Sequence, residues 1–302
     1  MATKPNGRTL ARKLAGPVSS FAVTVLAGGF LTATMVRFSP GFAADEQLLD
    51  TRLNEASRNA MRMRHDAEAN MPRFYVRHLV NMLRGDLGFS YSMQRPVAEL
   101  LADRLPVTAR LIAMGMAGAW LLGLTLAAAV VLWPTSIGSG MANGITGMLL
   151  CLPPAVLALL LFYHDGPVRI VIALVLFPKI FQYVRNILSQ ARLQPHVLAA
   201  HAGGLRLDRI FLYHIVPFSL PQLLALAGVS VSMAFGAAIP IEVICDLPGV
   251  GQLAWKAALA RDLPLLVNLT FLIVVITQLG NLLSDCAIAV VGRGSMNERQ
   301  QA

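Results

Sequence analysis

The stretch LAAHAGGLRLDRIFLYHIVP, Leu198 to Pro217, sets a Gly pair, two Arg, one Asp and two His between two long apolar runs. Just ahead of it stands Pro195, and a proline suits the first turn of a helix because the N–H it lacks would go unused there. Gly203 and Gly204 stand where a helix stops. PHVLAAHA is therefore expected as a short helix, and RLDRIFLYHI as a second helical piece running into the next apolar stretch. A short helix, a Gly turn and another helix make a rigid knob. Ala199, Ala200 and Ala202 let another backbone approach it closely, and Arg206 and Arg209 can pair with acidic groups on a partner. An interfacial helix lying on anionic lipid would use the same residues, and the segment alone leaves both readings open.

What flanks the segment fixes its setting. The chain is 56% hydrophobic and 14% charged, against about a quarter charged in soluble domains. No charge occurs at residues 111–163, 215–241 or 263–284. About 20 apolar helical residues cross a hydrocarbon core of about 30 Å. Backbone in lipid must pair within the protein, so these runs are expected as transmembrane helices. Six spans are placed at residues 15–36, 109–132, 142–163, 168–188, 214–239 and 264–291. Trp133-Pro134 and the Gly-rich SIGSGMANG are expected to break the long neutral run, and HDGP at His164–Pro167 to turn it. The N-terminus resembles a secretory signal, but its apolar run is longer than a signal core of about 7–15 residues; it reads as an uncleaved first span.

Charge sets the orientation. The N-terminal tail carries Lys4, Arg8, Arg12 and Lys13 and no acid. The segment 179–213 carries five basic residues against Asp208, and the tail after Val291 nets one positive charge. Basic loops stay on the cytoplasmic side, so both termini and the 189–213 loop are expected inside. Residues 37–106 then form an external insertion between spans 1 and 2. Ten Arg and nine acids at 37–104 leave it almost neutral, and long segments translocate largely regardless of charge. Leu48, Leu49, Leu53 and Ala56 fit an amphipathic helix, Gly85 and Gly88 a turn, and Val97, Leu100, Leu101 and Leu105 one face of another helix. This insertion is either a solvated helix pair or a platform for an external partner. The core is expected at 107–293 and a cytoplasmic tail at 294–302.

Several chemistries are missing. The net charge of +9 lies at the edges of apolar runs rather than on a surface with stacking aromatics, which argues against nucleic acid. Cys151, Cys245 and Cys286 form no disulfide framework or paired metal spacing and read as packing residues. No phosphate-binding Gly-x-x-x-x-Gly-Lys-Ser/Thr loop exists. His196, His201 and His214 do not align as metal ligands on one helix. GVGQLA at Gly249–Ala254 fits a loose dinucleotide pattern but lacks the βαβ setting; a Gly-rich turn entering a short external helix is expected instead. No cofactor or metal is expected. Ionisable residues within spans are functional candidates. Lys179 is expected to reach the inner interface along its four-carbon stem, with a pathway role as the alternative. Glu242 sits at the outer end of span 5. Asn281 and Asp285 share a helical face in span 6, as interhelical glue or a polar path.

With these residues in place, AAHAGGL…HIVP resembles the EAA loop of ABC importer permeases. Ala199, Ala200, Gly204 and Pro217 occupy its two Ala, its Gly and its later Pro. More specifically, the chain resembles the dipeptide/oligopeptide branch of binding-protein-dependent permeases. GDLGFSYSMQRPVAELLADRLPVTARL (Gly85–Leu111) is similar to that branch's entry into span 2. IEVICDLPGVGQLAWKAALARDLPLL (Ile241–Leu266) is similar to its E-x-x-F-x-x-P-G-x-G…A-x-x-x-R-D-x-P segment, and NLLSD (Asn281–Asp285) fits its ending. The chain departs from the branch at several places. Leu198 stands where the loop's Glu would be, AHAGG with His201 and Gly203 replaces a basic A-R-A-K-G core, Cys245 replaces an aromatic, and VVGRG replaces Asp-Pro-Arg near the C-terminus.

The resemblance implies an all-α, six-span type I ABC importer permease of a bacterial inner membrane. It implies a second permease, homologous or identical, cytoplasmic ATP-binding subunits, an extracytoplasmic substrate-binding protein, and ATP hydrolysis in those separate subunits rather than here. The loop of Ala199, Ala200, His201, Gly203, Gly204, Arg206 and Arg209 would couple to an ATPase, and the cargo would be peptides or similar small solutes. Glu242, Asn281 and Asp285 remain candidates for pathway or interface. An ion-gradient-driven transporter is the main alternative and would need ionisable residues at the midplane. An intramembrane enzyme has no nucleophile–base pair to rest on, and a structural scaffold is the remaining reading.

Overall fold

The computed structural model describes residues 7–37, 71–90, 92–133, 135–164, 166–260 and 262–299. The amphipathic helix expected around Leu48–Ala56 lies outside them. The chain is mostly helical. Helix α1 is Gly7–Arg37 and α2 is Met71–Leu83. A small antiparallel hairpin follows, β1 (Phe89–Ser90) against β2 (Arg95–Pro96), with Ser90 facing Arg95. Then come α3 (Val97–Leu132), α4 (Ser136–Cys151), α5 (Pro154–Tyr163) and α6 (Val168–Arg192). The pieces that follow α6 are α7 (Pro195–Ala202), α8 (Leu207–Ile210) and a π-helical turn at Phe211–Ile215. The last three helices are α9 (Val216–Ile244), α10 (Val250–Leu259) and α11 (Leu263–Arg299).

Helix α6 is the axis of the bundle. Its Val171, Ile172, Leu176, Ile180, Phe181 and Val184 are at most 1% exposed. Against it lies a stripe of α3 that repeats every third or fourth residue: Thr108, Ile112, Gly115, Ala119, Gly123, Ala127 and Val131, all buried. From Gly115 to Ala127 the stripe is made of small residues for a physical reason. Lipid tails are as apolar as Leu, so helices in a membrane gain from close contact rather than from escape from water. At Gly123 an added Cβ would lie 2.8 Å from Ile180 Cγ2 and 3.2 Å from the Phe181 backbone nitrogen. A second close approach joins α9 to α11: a Cβ on Gly228 would lie 2.7 Å from Ser284 Cβ. There Ser284 Oγ donates to the Leu224 carbonyl.

The neutral run 111–163 breaks between Trp133 and Thr135, the caps of α3 and α4, as expected, but not at the glycines that follow. SIGSGMANG is helical. Thr135 Oγ1 accepts the Gly138 N–H at 3.1 Å and caps α4, and that helix packs along α6. Each Gly costs about 1 kcal/mol of helix propensity, which the cap and this packing offset. A second, unforeseen break is at Leu152-Pro153-Pro154, where two prolines cannot donate to a helical ladder. Helices α4 and α5 meet there at 92°, so residues 142–163 are not one straight span.

Among the described residues four helices are long and apolar enough to cross a membrane: Val97–Leu132, Ile170–Arg192, Leu207–Ile244 and Pro264–Ile288. The bent α4–α5 pair would make a fifth, and α1 contributes a shorter apolar stretch, Gly16–Leu31. The domain boundary expected at residue 106 falls inside α3, which runs through Pro106 unbroken. The first turns of α3 carry the one face expected of Val97, Leu100, Leu101 and Leu105 into a small separate core. Val97, Leu100 and Leu101 pack there with Val250, Leu253, Leu265 and Leu269, and Leu105 lies against them. The hairpin, the start of α3, α10 and the start of α11 thus form one cap at one end of the bundle.

Candidate functional site

The segment between α6 and α9 is built as its punctuation demands. Pro195 is the first residue of α7, and Gly203 ends it. Gly204 has φ +78°, a left-handed conformation that costs an L-residue roughly 1–2 kcal/mol. Its N–H donates to the His201 carbonyl at 3.1 Å, and the Leu205 N–H reaches back to Ala200 at 3.3 Å. This is the Schellman arrangement, in which a left-handed Gly satisfies the last carbonyls of a helix. Val197, 3% exposed, pins α7 to the bundle. Arg192 ties the segment to α3 by donating to the Val131 carbonyl at 2.8 Å. Beyond Gly204 the chain re-enters the bundle through the π turn. Pro217 lies just past it, where a tight α-helical ladder would drive the ring against the carbonyl four residues back; widening to a π turn relieves that contact.

The knob presents its small residues outward. Ala199, His201, Ala202, Gly203, Gly204, Arg206 and Arg209 are exposed, and Ala200 is half-buried. Leu193, Leu198, Leu205 and Leu207 are exposed as well. A groove of about 140 Å³ opens beside them, lined in part by Val131, Leu193, Val197, His201 and Leu207. The two arginines differ. Arg206 Nε already meets Asp208 Oδ1 at 3.3 Å, a pair exposed on both sides and therefore weak. Arg209 has no ion pair among the described residues. The histidines separate: His201 lines the groove, the His196 ring packs on Phe218 at 5.3 Å, and His214 Nδ1 is buried without a hydrogen-bond partner.

At the other end of the bundle Glu242 is fully buried and engaged. Its Oε1 accepts the Thr108 hydroxyl at 2.6 Å, and its Oε2 accepts the Gly251 N–H at 2.7 Å. Thr108 Oγ1 in turn accepts the Val250 N–H at 2.8 Å. The carboxylate therefore sits on the first turn of α10, where free N–H groups and the helix dipole favour an anion. The glycines of GVGQLA make this possible. A Cβ on Gly249 would overlap the Glu242 carboxyl, and one on Gly251 would come within 2.7 Å of Ile239 Cα. The Gly-rich turn entering a short helix is as expected, and Glu242 is its structural latch rather than a residue open to a path.

Residues 119–295 match the family described as the inner membrane component of binding-protein-dependent transport systems. The chain belongs to that family. It is also 24% identical to the oligopeptide transport system permease protein AppB of Bacillus subtilis, over 81% of this chain and 86% of AppB. Its identity to OppB, the oligopeptide transport system permease protein of Haemophilus influenzae, is 28%, over 72% of this chain and 78% of OppB. The resemblance read from the sequence is thereby borne out, and the knob lies inside the matched region.

The rest of this inner-membrane component's polar framework includes a residue that sequence reasoning passed over. Asp262 is 4% exposed. Its Oδ2 accepts Ser90 Oγ at 2.6 Å, Ser92 Oγ at 2.7 Å and the Ser92 N–H at 3.0 Å, while Oδ1 caps the start of α11 through the Leu265 N–H at 3.2 Å. The R-D-x-P pattern and the Ser-x-Ser of the hairpin were visible, but their pairing across 172 residues was not. Asp262→Ala is expected to strand these donors. Hydrogen bonds to charged groups contribute about 1.5–3 kcal/mol each at most, so faster hydrogen exchange at Ser92 and Leu265, with α6 unchanged, is the expected result.

The side-chain hydrogen bond across the α9–α11 contact comes from neither Asn281 nor Asp285. Ser284, between them, makes it, while Asn281 is half-buried and Asp285 exposed. Asp285 lies well along α11, roughly 33 Å from Leu263 at 1.5 Å per residue.

Proposed function

We propose that the chain forms half of the translocation pathway of an ATP-driven importer for peptides or similar small solutes, and that its 198–217 knob couples to a separate ATPase. The rigid, exposed α7–Gly204–α8 unit, joined directly to two long apolar helices inside the family match, carries this reading. Peptide cargo follows the names of AppB and OppB. In this arrangement the chain crosses a bacterial inner membrane six times with both termini inside, the basic knob faces the cytoplasm, and the Glu242–Asp262 cap faces outward toward a binding protein. A second permease completes the path, and lipid surrounds both.

Coupling then works by leverage. Closure of the ATPases moves α7, and because Arg192, Val197 and the π turn fasten α7 to α3, α6 and α9, the spans move with it. The contacts must differ in free energy between the two states for ATP to drive the switch. An ion-gradient transporter is not favoured. Asp285, its best acidic candidate, lies near the end of the apolar stretch Pro264–Ile288 rather than at its middle.

Gly204→Leu tests the coupling role. Leu at φ +78° is strained and would tilt α7 against α8 while leaving the spans in place. Insertion and assembly are expected at normal levels, with ATP-driven uptake in a reconstituted complex down about tenfold, the rate equivalent of 1–2 kcal/mol. Normal uptake by the variant would count against this role.

A further inference from the structure

Helix α6 carries a face that does not belong in lipid. Lys179, Tyr183, Asn186 and Gln190 are all exposed, and their spacing of four, three and four places them on one stripe. The opposite side holds Ile180, Phe181 and Val184, fully buried. Lys179 stands eleven residues into the helix, roughly 16 Å from its first residue and roughly 20 Å from its last. A lysine stem extends only about 6 Å beyond Cα, so the ammonium stays well inside the apolar helix Ile170–Arg192. A charge held at that depth against lipid is unfavourable.

The electrostatics around the stripe have one sign. Helix α6 contains no acidic residue, and Lys179 has no ion pair among the described residues. Arg185 lies one to two turns further on, with its guanidinium over the Phe181 ring at 5.9 Å and hydrogen-bonded to Asn143. The neighbouring helix α9 packs on α6 and exposes Gln222, Ala225, Val229 and Gly236 on a stripe of its own. Gly236 has open space beside it. Glu242, the acid of α9, is fully buried and bonded to Thr108 and Gly251. Nothing among these groups neutralises Lys179.

We propose that the Lys179–Tyr183–Asn186 stripe lines the water-filled translocation path, and that Lys179 sets a positive potential there which favours solutes carrying a free carboxylate. The proposal rests on the importer reading. A peptide terminus or an acidic side chain supplies such a carboxylate, Tyr183 and Asn186 offer hydrogen bonds one and two turns along, and a point charge of this kind attracts without demanding a fixed geometry.

The test reads the local potential without needing the cargo. Cys151, Cys245 and Cys286 are replaced by Ala, single cysteines are placed at Tyr183 and Asn186, and the chain is purified with its partners into proteoliposomes. Each cysteine is reacted with an anionic sulfonatoethyl and a cationic trimethylammonioethyl methanethiosulfonate. Both positions are expected to react, the anionic reagent faster at 183 than its bulk ratio predicts. Lys179→Glu should lower the anionic-to-cationic ratio at 183 by about tenfold, as expected for reversing a unit charge a few ångströms away, and Lys179→Gln by less. No reaction at either position with either reagent, or a ratio unmoved by Lys179→Glu, would overturn the proposal. ATP-dependent uptake is scored on the same preparation. An unmoved ratio in a complex with ATP-driven uptake counts against Lys179 alone; a charge-sensitive stripe in a chain whose transport ignores ATP counts against the importer reading alone.

Discussion

Replacing Gly123 with Leu is expected to remove most of the folded protein. Gly123 sits where α3 and α6 touch, and even a methyl group there would lie 2.8 Å from Ile180 Cγ2. A side chain could swing aside, but the second neighbour is the Phe181 backbone nitrogen at 3.2 Å, which can move only if α6 moves. Because α6 also packs on α4, α5 and α9, such a shift spreads through the bundle. Overpacking typically costs about 1–3 kcal/mol and occasionally more; with backbone as the obstacle the upper end is expected. The measurement is the thermal midpoint of the monodisperse size-exclusion peak in detergent, which should fall sharply or vanish. Gly147→Leu serves as the control. Gly147 lies on α4 with nothing within 4 Å of an added Cβ, so its variant should keep the parent midpoint.

The second large effect concerns the Glu242 latch. Glu242→Ala leaves the Gly251 N–H and the Thr108 hydroxyl without their carboxylate, in a site that is fully buried. Stranding buried donors costs about 1–3 kcal/mol, more where a charge made the bond, and the dipole at the start of α10 loses its anion. The expected result is loss of hydrogen-exchange protection at Val250–Gln252, with α10 detaching from α3 before the rest of the bundle loosens. Glu242→Gln keeps an acceptor oxygen and should lie between the parent and the Ala variant. Equal protection in all three proteins would show that the latch contributes nothing.

These sites differ in how much of them the sequence displays. The knob is legible because its signals are local: Pro195 opens α7, and Gly203 and Gly204 close it within ten residues. The long neutral runs are legible because lipid forbids unpaired backbone, so length and apolarity nearly suffice. In the run 111–163 the break beside Trp133 is legible, but the glycines of SIGSGMANG mislead because glycine weakens a helix only modestly, whereas Pro153-Pro154 removes donors outright. Glu242 could be singled out as a costly carboxylate, but its role depends on Thr108, 134 residues away. Asp262 escaped for the same reason, since Ser90 and Ser92 lie about as far off in sequence. Ser284 was overlooked beside Asn281 and Asp285, since a hydroxyl announces itself less than a charge, yet the close approach at Gly228 needs its small side chain. The polar stripe of Lys179, Tyr183 and Asn186 needed the exposed face of α6 before it could be seen as one surface.

The most direct measurement concerns the side of the membrane on which the knob stands. A single cysteine at Ala202, an exposed position, is placed in a chain whose own three cysteines are replaced by Ala, and intact cells are treated with a membrane-impermeant maleimide. No labelling in intact cells and full labelling after permeabilisation is the predicted result. Labelling in intact cells, or none even after permeabilisation, would contradict a knob that projects into the cell interior for an ATPase to hold.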